Sequence, residues 1–166
     1  MTLNEFIKKW TGKKLEVTGS PGALNQCVDL VNGYIRDVLG LPVIKWTNAI
    51  FFPEVVGDEY EWIQNTPTGI PLKGDIMIFD IGKYGHISVF IDGNVNSFNS
   101  FDQNWPVGTG CHIQKHNYNN VVGWLRPKGG NMDALSECLK QHKKLMSIIK
   151  EYEEFVIKLE GVLLDA

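Results

Sequence analysis

A chain of 166 residues, 43% apolar and 21% charged, is long enough to bury about two thirds of its unfolded surface in one core, so one domain plus an appendage is expected. A formal charge of −3 and a pI near 5.8 give no basic field for neutralising phosphates, which argues against nucleic acid as a partner. No run approaches the roughly 18 apolar residues of a membrane span, and no basic n-region precedes a long apolar segment, so neither membrane insertion nor Sec export is expected.

Thr2 with Glu5 three residues later forms a capping box, and Leu3, Phe6, Ile7 and Trp10 follow on one face, so a short amphipathic helix opens the chain and stops at Gly12. Residues 13–19 read as a polar connector. After the loop of Ser20, Pro21 and Gly22, a second helix carries Cys27, Val31, Tyr34, Ile35 and Val38 at helical spacing, with Gly40 and Pro42 as its stop. Cys27 falls in its first turn, where unpaired N–H groups and the positive dipole end favour a thiolate over a thiol. Taken alone, this stretch favours an inert buried cysteine on an apolar helix face, and a second motif has to decide between the two. Residues 46–65 are rich in aromatics and broken by Pro53, and they predict a short helix, a loop and a helical turn near 54–63.

From Pro67 the pattern changes to turns and strands. Strands are predicted at 75–79, at 86–91, over about 95–101 and at 121–125, with Asp92-Gly93 as a hairpin turn. Short turns between successive strands imply an antiparallel sheet packed on the preceding helices, an α+β domain over residues 1–128. Residues 129–132 read as a linker. Residues 133–166 then predict one long helix, in which Cys138, His142, Leu145, Ile149, Tyr152, Val156, Leu159 and Leu163 alternate spacings of four and three. That register suggests a coiled-coil seam about 48 Å long, longer than a small domain of ~30 Å. It is expected to join a second copy or another protein, with a shorter helix folded back on its own domain as the alternative.

Cys27, Cys111 and Cys138 show no C-x-x-C spacing and leave one thiol over in any pairing, which points to a reducing compartment or free thiols. A thiolate mechanism needs a base within hydrogen-bond reach and a third group to fix that base. Of the four histidines, His86 is the best placed, between Gly85 and an apolar strand. Asp102 and Asn104 follow a strand expected to pair with it, and either can orient the imidazole. A zinc protein built on Cys111, His112 and His116 is a rival reading, weakened by the lack of a fourth ligand nearby.

Asn25-Gln26-Cys27-Val28-Asp29-Leu30-Val31, residues 71–79 around Gly74-Asp75-Ile76, Tyr84-Gly85-His86-Ile87 and Asp102-Gln103-Asn104-Trp105 together resemble the CHAP family, the cysteine, histidine-dependent amidohydrolases/peptidases of bacteriophage lysins and bacterial wall hydrolases. The likeness runs over residues 3–128 and excludes the C-terminal helix. It implies a papain-like (NlpC/P60-like) fold with Cys27 as nucleophile, His86 as general base, Asp102 at a position where many relatives carry Glu, and Asn104 at the amide position. The shorter Asp102 is expected to reach His86 less well, which leaves Asp102 and Asn104 open as its partner. Asp29 matches one carboxylate of a calcium loop in some relatives, but the loop before Cys27 holds no carboxylate, and calcium needs about six to eight oxygens. No metal and no cofactor are therefore expected.

The resemblance implies attack on an amide of peptidoglycan, by an N-acetylmuramoyl-L-alanine amidase or a cross-bridge endopeptidase. The Cys27 N–H, with Gln26 or Asn104, would hold the oxyanion. Trp46, Trp62 and Trp105 either flank a substrate groove or pack in core and rim. A wall substrate without a leader implies a phage lysin, released through a holin-type lesion or carried in the virion. The alternative is a catalytically silent wall-binding or virion-structural module on the same fold.

Overall fold

The computed structural model describes residues 1–17, 23–45, 47–128, 144–152 and 156. It divides into two compact units, Met1–Gly130 and Asn131–Ala166.

In the first unit, α1 (Leu3–Trp10) begins at the Thr2 cap: the Thr2 hydroxyl accepts from Glu5 N–H, and the Glu5 carboxylate accepts from Thr2 N–H. Helix α2 (Cys27–Tyr34) continues as a π-helical turn over Ile35–Leu39 and closes on Gly40 at φ 69°. A 3-10 turn (Ala49–Phe51) leads into the single turn α3 (Phe52–Val55). Six strands follow: β1 (Tyr60–Gln64), β2 (Ile76–Phe79), β3 (His86–Gly93), β4 (Phe98–Asp102), β5 (His112–His116) and β6 (Val121–Pro127). They form one sheet in the order β1-β6-β2-β3-β4-β5, every pair antiparallel. The chain is thus α+β, with helices packed on an antiparallel sheet as the sequence pattern implied.

Side-chain alternation gives the sheet two apolar faces. Ile76, Ile78, Ile87, Val89, Phe101 and Leu125 pack with Phe6 of α1 and with Leu30, Val31 and Ile35 of the α2 segment. Met77, Phe79, Phe90, Phe98, Val121 and Trp124 form a second, aromatic-rich cluster. Strand β2 is buried along its whole length, which explains why it reads as a continuous apolar run.

Three local expectations change. The helical turn expected near 54–63 ends early: residues 60–64 form β1, whose Tyr60 pairs with Pro127 and whose Ile63 pairs with Trp124 on the free edge of β6. Asp92-Gly93 is not the hairpin turn but the end of β3, paired with Asn99 and Phe98. The reversal comes one step later, where Asn94 Oδ1 accepts from Asn96 N–H and Ser97 N–H and so draws the chain round. Finally, the polar stretch around His112 and His116 is strand β5. Its half-buried positions are His112, Gln114 and His116, whereas Ile113 and Lys115 face solvent.

In the second unit, residues 144–152 and 156 are helical, with Leu145, Met146, Ile148, Ile149 and Tyr152 exposed. The 129–132 linker and the remainder of the expected 133–166 helix, including Cys138, His142, Leu159 and Leu163 of the seam, lie outside the described residues.

Candidate active site

The start of α2 is fixed by a buried carboxylate. Asp29 accepts from Gln26 N–H at 2.7 Å and from Val17 N–H at 3.3 Å, which closes the first turn and ties it to the incoming connector. Cys27 is therefore the first residue of the helix, in the turn whose N–H groups lack the i−4 acceptor of the helix interior. Cys27 is partly exposed, and its thiol is near enough to the His86 imidazole to favour that ring's protonated form.

His86 is delivered by the first residue of β3. Gly85 before it stands at φ 72°, and a Cβ there would lie 2.7 Å from Ile50 N and 2.8 Å from Phe79 O, so only glycine lets the turn close this tightly. The imidazole Nε2 lies 2.6 Å from Asp102 Oδ1. An ionised carboxylate only accepts, so Nε2 carries a proton and Nδ1 is the nitrogen left for the thiol. Burial alone would push the His86 imidazole down, but the hydrogen bonds and charges of Asp102 and Cys27 outweigh it and carry it up to about 9. Burial likewise opposes ionisation of Asp102, yet hydrogen bonds from His116 and His86 hold its carboxyl below the usual range. Despite its short side chain, Asp102 reaches the ring within hydrogen-bond distance.

Asn104 stands elsewhere. It adopts a left-handed backbone at φ 61°, donates from Nδ2 to Gln26 Oε1 at 2.9 Å and accepts from Gly108 N–H at 2.6 Å. Asp102, not Asn104, is thus the group on His86, and Asn104 braces Gln26. Gln26 in turn donates from Nε2 to Leu24 O at 3.0 Å. Since an amide carries two such protons, one can still meet a developing negative charge. The Trp105 ring lies 5.0 Å from the His86 ring and shields it on one side. Trp62 is 43% exposed on β1, and Trp46 lies outside the described residues.

Two neighbours, Gln103 and Ser100, had no assigned role, and a third, His116, had only that of a rival zinc ligand. Gln103 is fully buried and donates from Nε2 to both Leu15 O and Gln26 O, while its Oε1 accepts from Leu15 N–H and the Cys111 thiol. It thereby fastens the residue before Cys27 to the end of β4. Ser100 Oγ donates to Asp102 Oδ2 at 2.5 Å, and His116 Nε2 lies 3.2 Å from Asp102 Oδ1. The signal for Gln103 was its place inside the Asp102-Gln103-Asn104-Trp105 motif. His116 carried none beyond its residue type.

The zinc grouping does not converge. Cys111 is buried against Gln103, and burial pushes its thiol up to about 11. His112 meets Gly110 O and Gln114, and His116 faces Asp102. Among the described residues no group of three or more His, Cys, Asp or Glu is placed to hold a metal ion. Among them, too, no helix is long and apolar enough to cross a membrane.

Chemically, the arrangement is a thiol beside an imidazole whose far nitrogen is anchored on a buried carboxylate, with amide donors at the same helix start. It can move a proton from sulfur to ring and back.

The chain is similar to known proteins. The family described as the CHAP domain matches residues 17–104. Endolysin LysK of Staphylococcus phage K is 34% identical over 85 residues, which cover 48% of this chain and 17% of LysK. The crystal structure of wild-type endolysin LysIME-EF1 superposes with a TM-score of 0.62 at 27% identity, over 77% of this chain and 65% of that one. The crystal structure of Ly7917 gives a TM-score of 0.57 at 15% identity, over 78% and 63%, a likeness of fold alone. The match spans less than two thirds of the length of each of these relatives.

Proposed function

Because the chain belongs to the CHAP domain family, we propose that it is a peptidoglycan hydrolase cutting an amide bond of the bacterial wall by a cysteine thiolate mechanism. The observation that carries this reading is the Cys27–His86–Asp102 grouping, in which the thiol favours the protonated His86 ring and His86 Nε2 lies 2.6 Å from Asp102 Oδ1. The likeness to the endolysins LysK and LysIME-EF1 supports the wall as its target.

In this mechanism the Cys27 thiolate attacks the amide carbonyl carbon, and the carbonyl electron pair moves onto oxygen. The Cys27 N–H and the second Gln26 Nε2 proton stabilise that oxyanion, and Asn104 holds Gln26 in place for it. The His86 imidazolium gives its Nδ1 proton to the departing amine, and the C–N bond breaks to leave an acyl-thioester. His86 then takes a proton from water, hydroxide adds to the thioester, and the thiolate returns. Asp102 remains ionised throughout and stabilises each imidazolium. No step calls for a metal or a cofactor.

The test is loss of turbidity of bacterial walls, with Cys27→Ala and a chelator in parallel. The variant is expected to lose on the order of 10³-fold or more in rate, and the chelator to have no effect. Lysis that persists in Cys27→Ala, or binding of walls by the parent chain without release of muropeptides, would overturn the reading. Mass spectrometry of the released fragments distinguishes an N-acetylmuramoyl-L-alanine amidase from a cross-bridge endopeptidase by which amine is newly free.

A further inference from the structure

Asp102 is completely buried, and its carboxylate is met by three donors rather than one. His86 Nε2 at 2.6 Å and His116 Nε2 at 3.2 Å share Oδ1, and Ser100 Oγ at 2.5 Å takes Oδ2. The His116 ring is itself seated in an aromatic box: Phe98 stacks on it at 5.4 Å and 27°, Phe79 lies at 5.1 Å, and Trp105 at 6.5 Å. The charged or titratable groups that face it are Asp102 from β4 and His86 from β3, whose ring centroid is 6.4 Å away, with Cys27 beyond His86. His116 lies on β5, past the 17–104 stretch that matches the family.

We propose that His116 is a positioning residue: together with Ser100 it clamps the Asp102 carboxylate in the one orientation that reaches His86. An ionised carboxylate without water persists only if its lone pairs are filled by donors. His86 fills only one of those lone pairs, and its hold on the carboxylate weakens whenever its Nδ1 proton leaves and the ring loses its charge. His116 supplies an N–H that stays in place while His86 changes charge, and its neutral ring suffices for that. Loss of this donor leaves Asp102 less firmly ionised and free to rotate, so its pull on His86 weakens. This role rests on the reading of Cys27 and His86 as the reacting pair.

The experiment compares His116→Phe, which keeps a ring in the aromatic box without a donor, with His116→Gln, which restores an N–H. One readout is the rate on purified walls, resolved into kcat and apparent KM across pH. The other is the His86 imidazole titration followed by NMR, which needs no substrate. His116→Phe is expected to lower kcat by about ten-fold or more, a share of the ~10²–10⁴ that an acid–base group contributes, with KM within about two-fold. Its high-pH limb and the His86 titration should both fall below their parental positions, and His116→Gln should recover both. Parental kcat and titration in a folded His116→Phe variant would sink the proposal, as would a Gln variant as impaired as the Phe variant. If His116→Phe does not fold, Ser100→Ala removes the clamp's other donor, and a His86 titration unmoved by it overturns the clamp. A parent chain inert on walls defeats the proposed function alone, because the NMR titration still reads the clamp.

Discussion

His86 is buried and charged at neutral pH, and that combination sets a pH signature. Its imidazole titrates at about 9 in the folded chain against an ordinary 6.5, so folding is favoured by its protonated form. The stabilisation is complete below about pH 6.5 and disappears as pH rises through about 9, because the unfolded chain has by then released its proton and the folded chain must follow. Calorimetry should show the melting temperature falling between pH 6.5 and 9.5, and Asp102→Asn should flatten that slope by removing the anion that holds the proton. Wall hydrolysis should decline over the same upper limb, since in the proposed mechanism the imidazolium is the acid for the leaving amine. A melting temperature and rate that stay level through pH 9 would contradict the assignment. At this scale the candidate pair Cys27 and His86 could be picked out from the sequence, because a sulfur at a helix start and a histidine behind a glycine each carry a local pattern. Asn104 was not: its left-handed backbone turns the amide away from His86 toward Gln26, and residue types do not encode that reversal. Gln103 was also illegible as a fastener, because its partner Leu15 lies 88 positions away.

The same distinction between local and distant information separates the elements. Helix α1, helix α2 and strands β2, β3 and β6 carry their own caps, stops or apolar runs, and they appear where periodicity places them. Strand β5 escapes that logic because its polar residues face inward and Ile113 faces water, the inverse of the usual alternation; the inward polarity exists to serve Asp102 and the turn at Gly110. Strand β1 exists because β6 offers it an edge, which is information held some 60 residues downstream. The turn that launches β3 illustrates how an element sets a residue. Gly82 and Gly85 both sit at positive φ, but a Cβ at Gly82 meets nothing within 4 Å, whereas one at Gly85 meets Ile50 and Phe79 backbone below 3 Å. Gly82→Ala is therefore expected to cost only the left-handed penalty of about 1–2 kcal/mol. Gly85→Ala adds a backbone clash and should cost more, about 3 kcal/mol or above, with a fall in wall hydrolysis because His86 moves with β3. Urea denaturation of the two variants side by side checks the order, and equal losses would show that close packing at Gly85 is not what requires glycine.

At the scale of the whole chain, the unit Met1–Gly130 holds both apolar clusters, all six strands and Cys27, His86 and Asp102. Among the described residues both apolar clusters are drawn from this unit, and we propose that residues 1–130 fold and act without residues 131–166. Helical residues Leu145, Ile149 and Tyr152 repeat the four-and-three spacing of a seam and are exposed, as are Met146 and Ile148 beside them. Apolar side chains in that spacing are suited to cover by another helix of the same kind, and we propose that this part of the chain self-associates. A chain ending at residue 130 should melt as one cooperative transition and keep a Cys27-dependent rate on walls within about two-fold of the full chain, since Cys27, His86 and Asp102 all lie within it. In sedimentation at micromolar concentration the full chain should exceed the monomer mass and the shortened chain should match it. A monomer mass for both would remove self-association and leave the helical segment to a different partner, while loss of the melting transition in the shortened chain would show that the catalytic unit needs its appendage to fold.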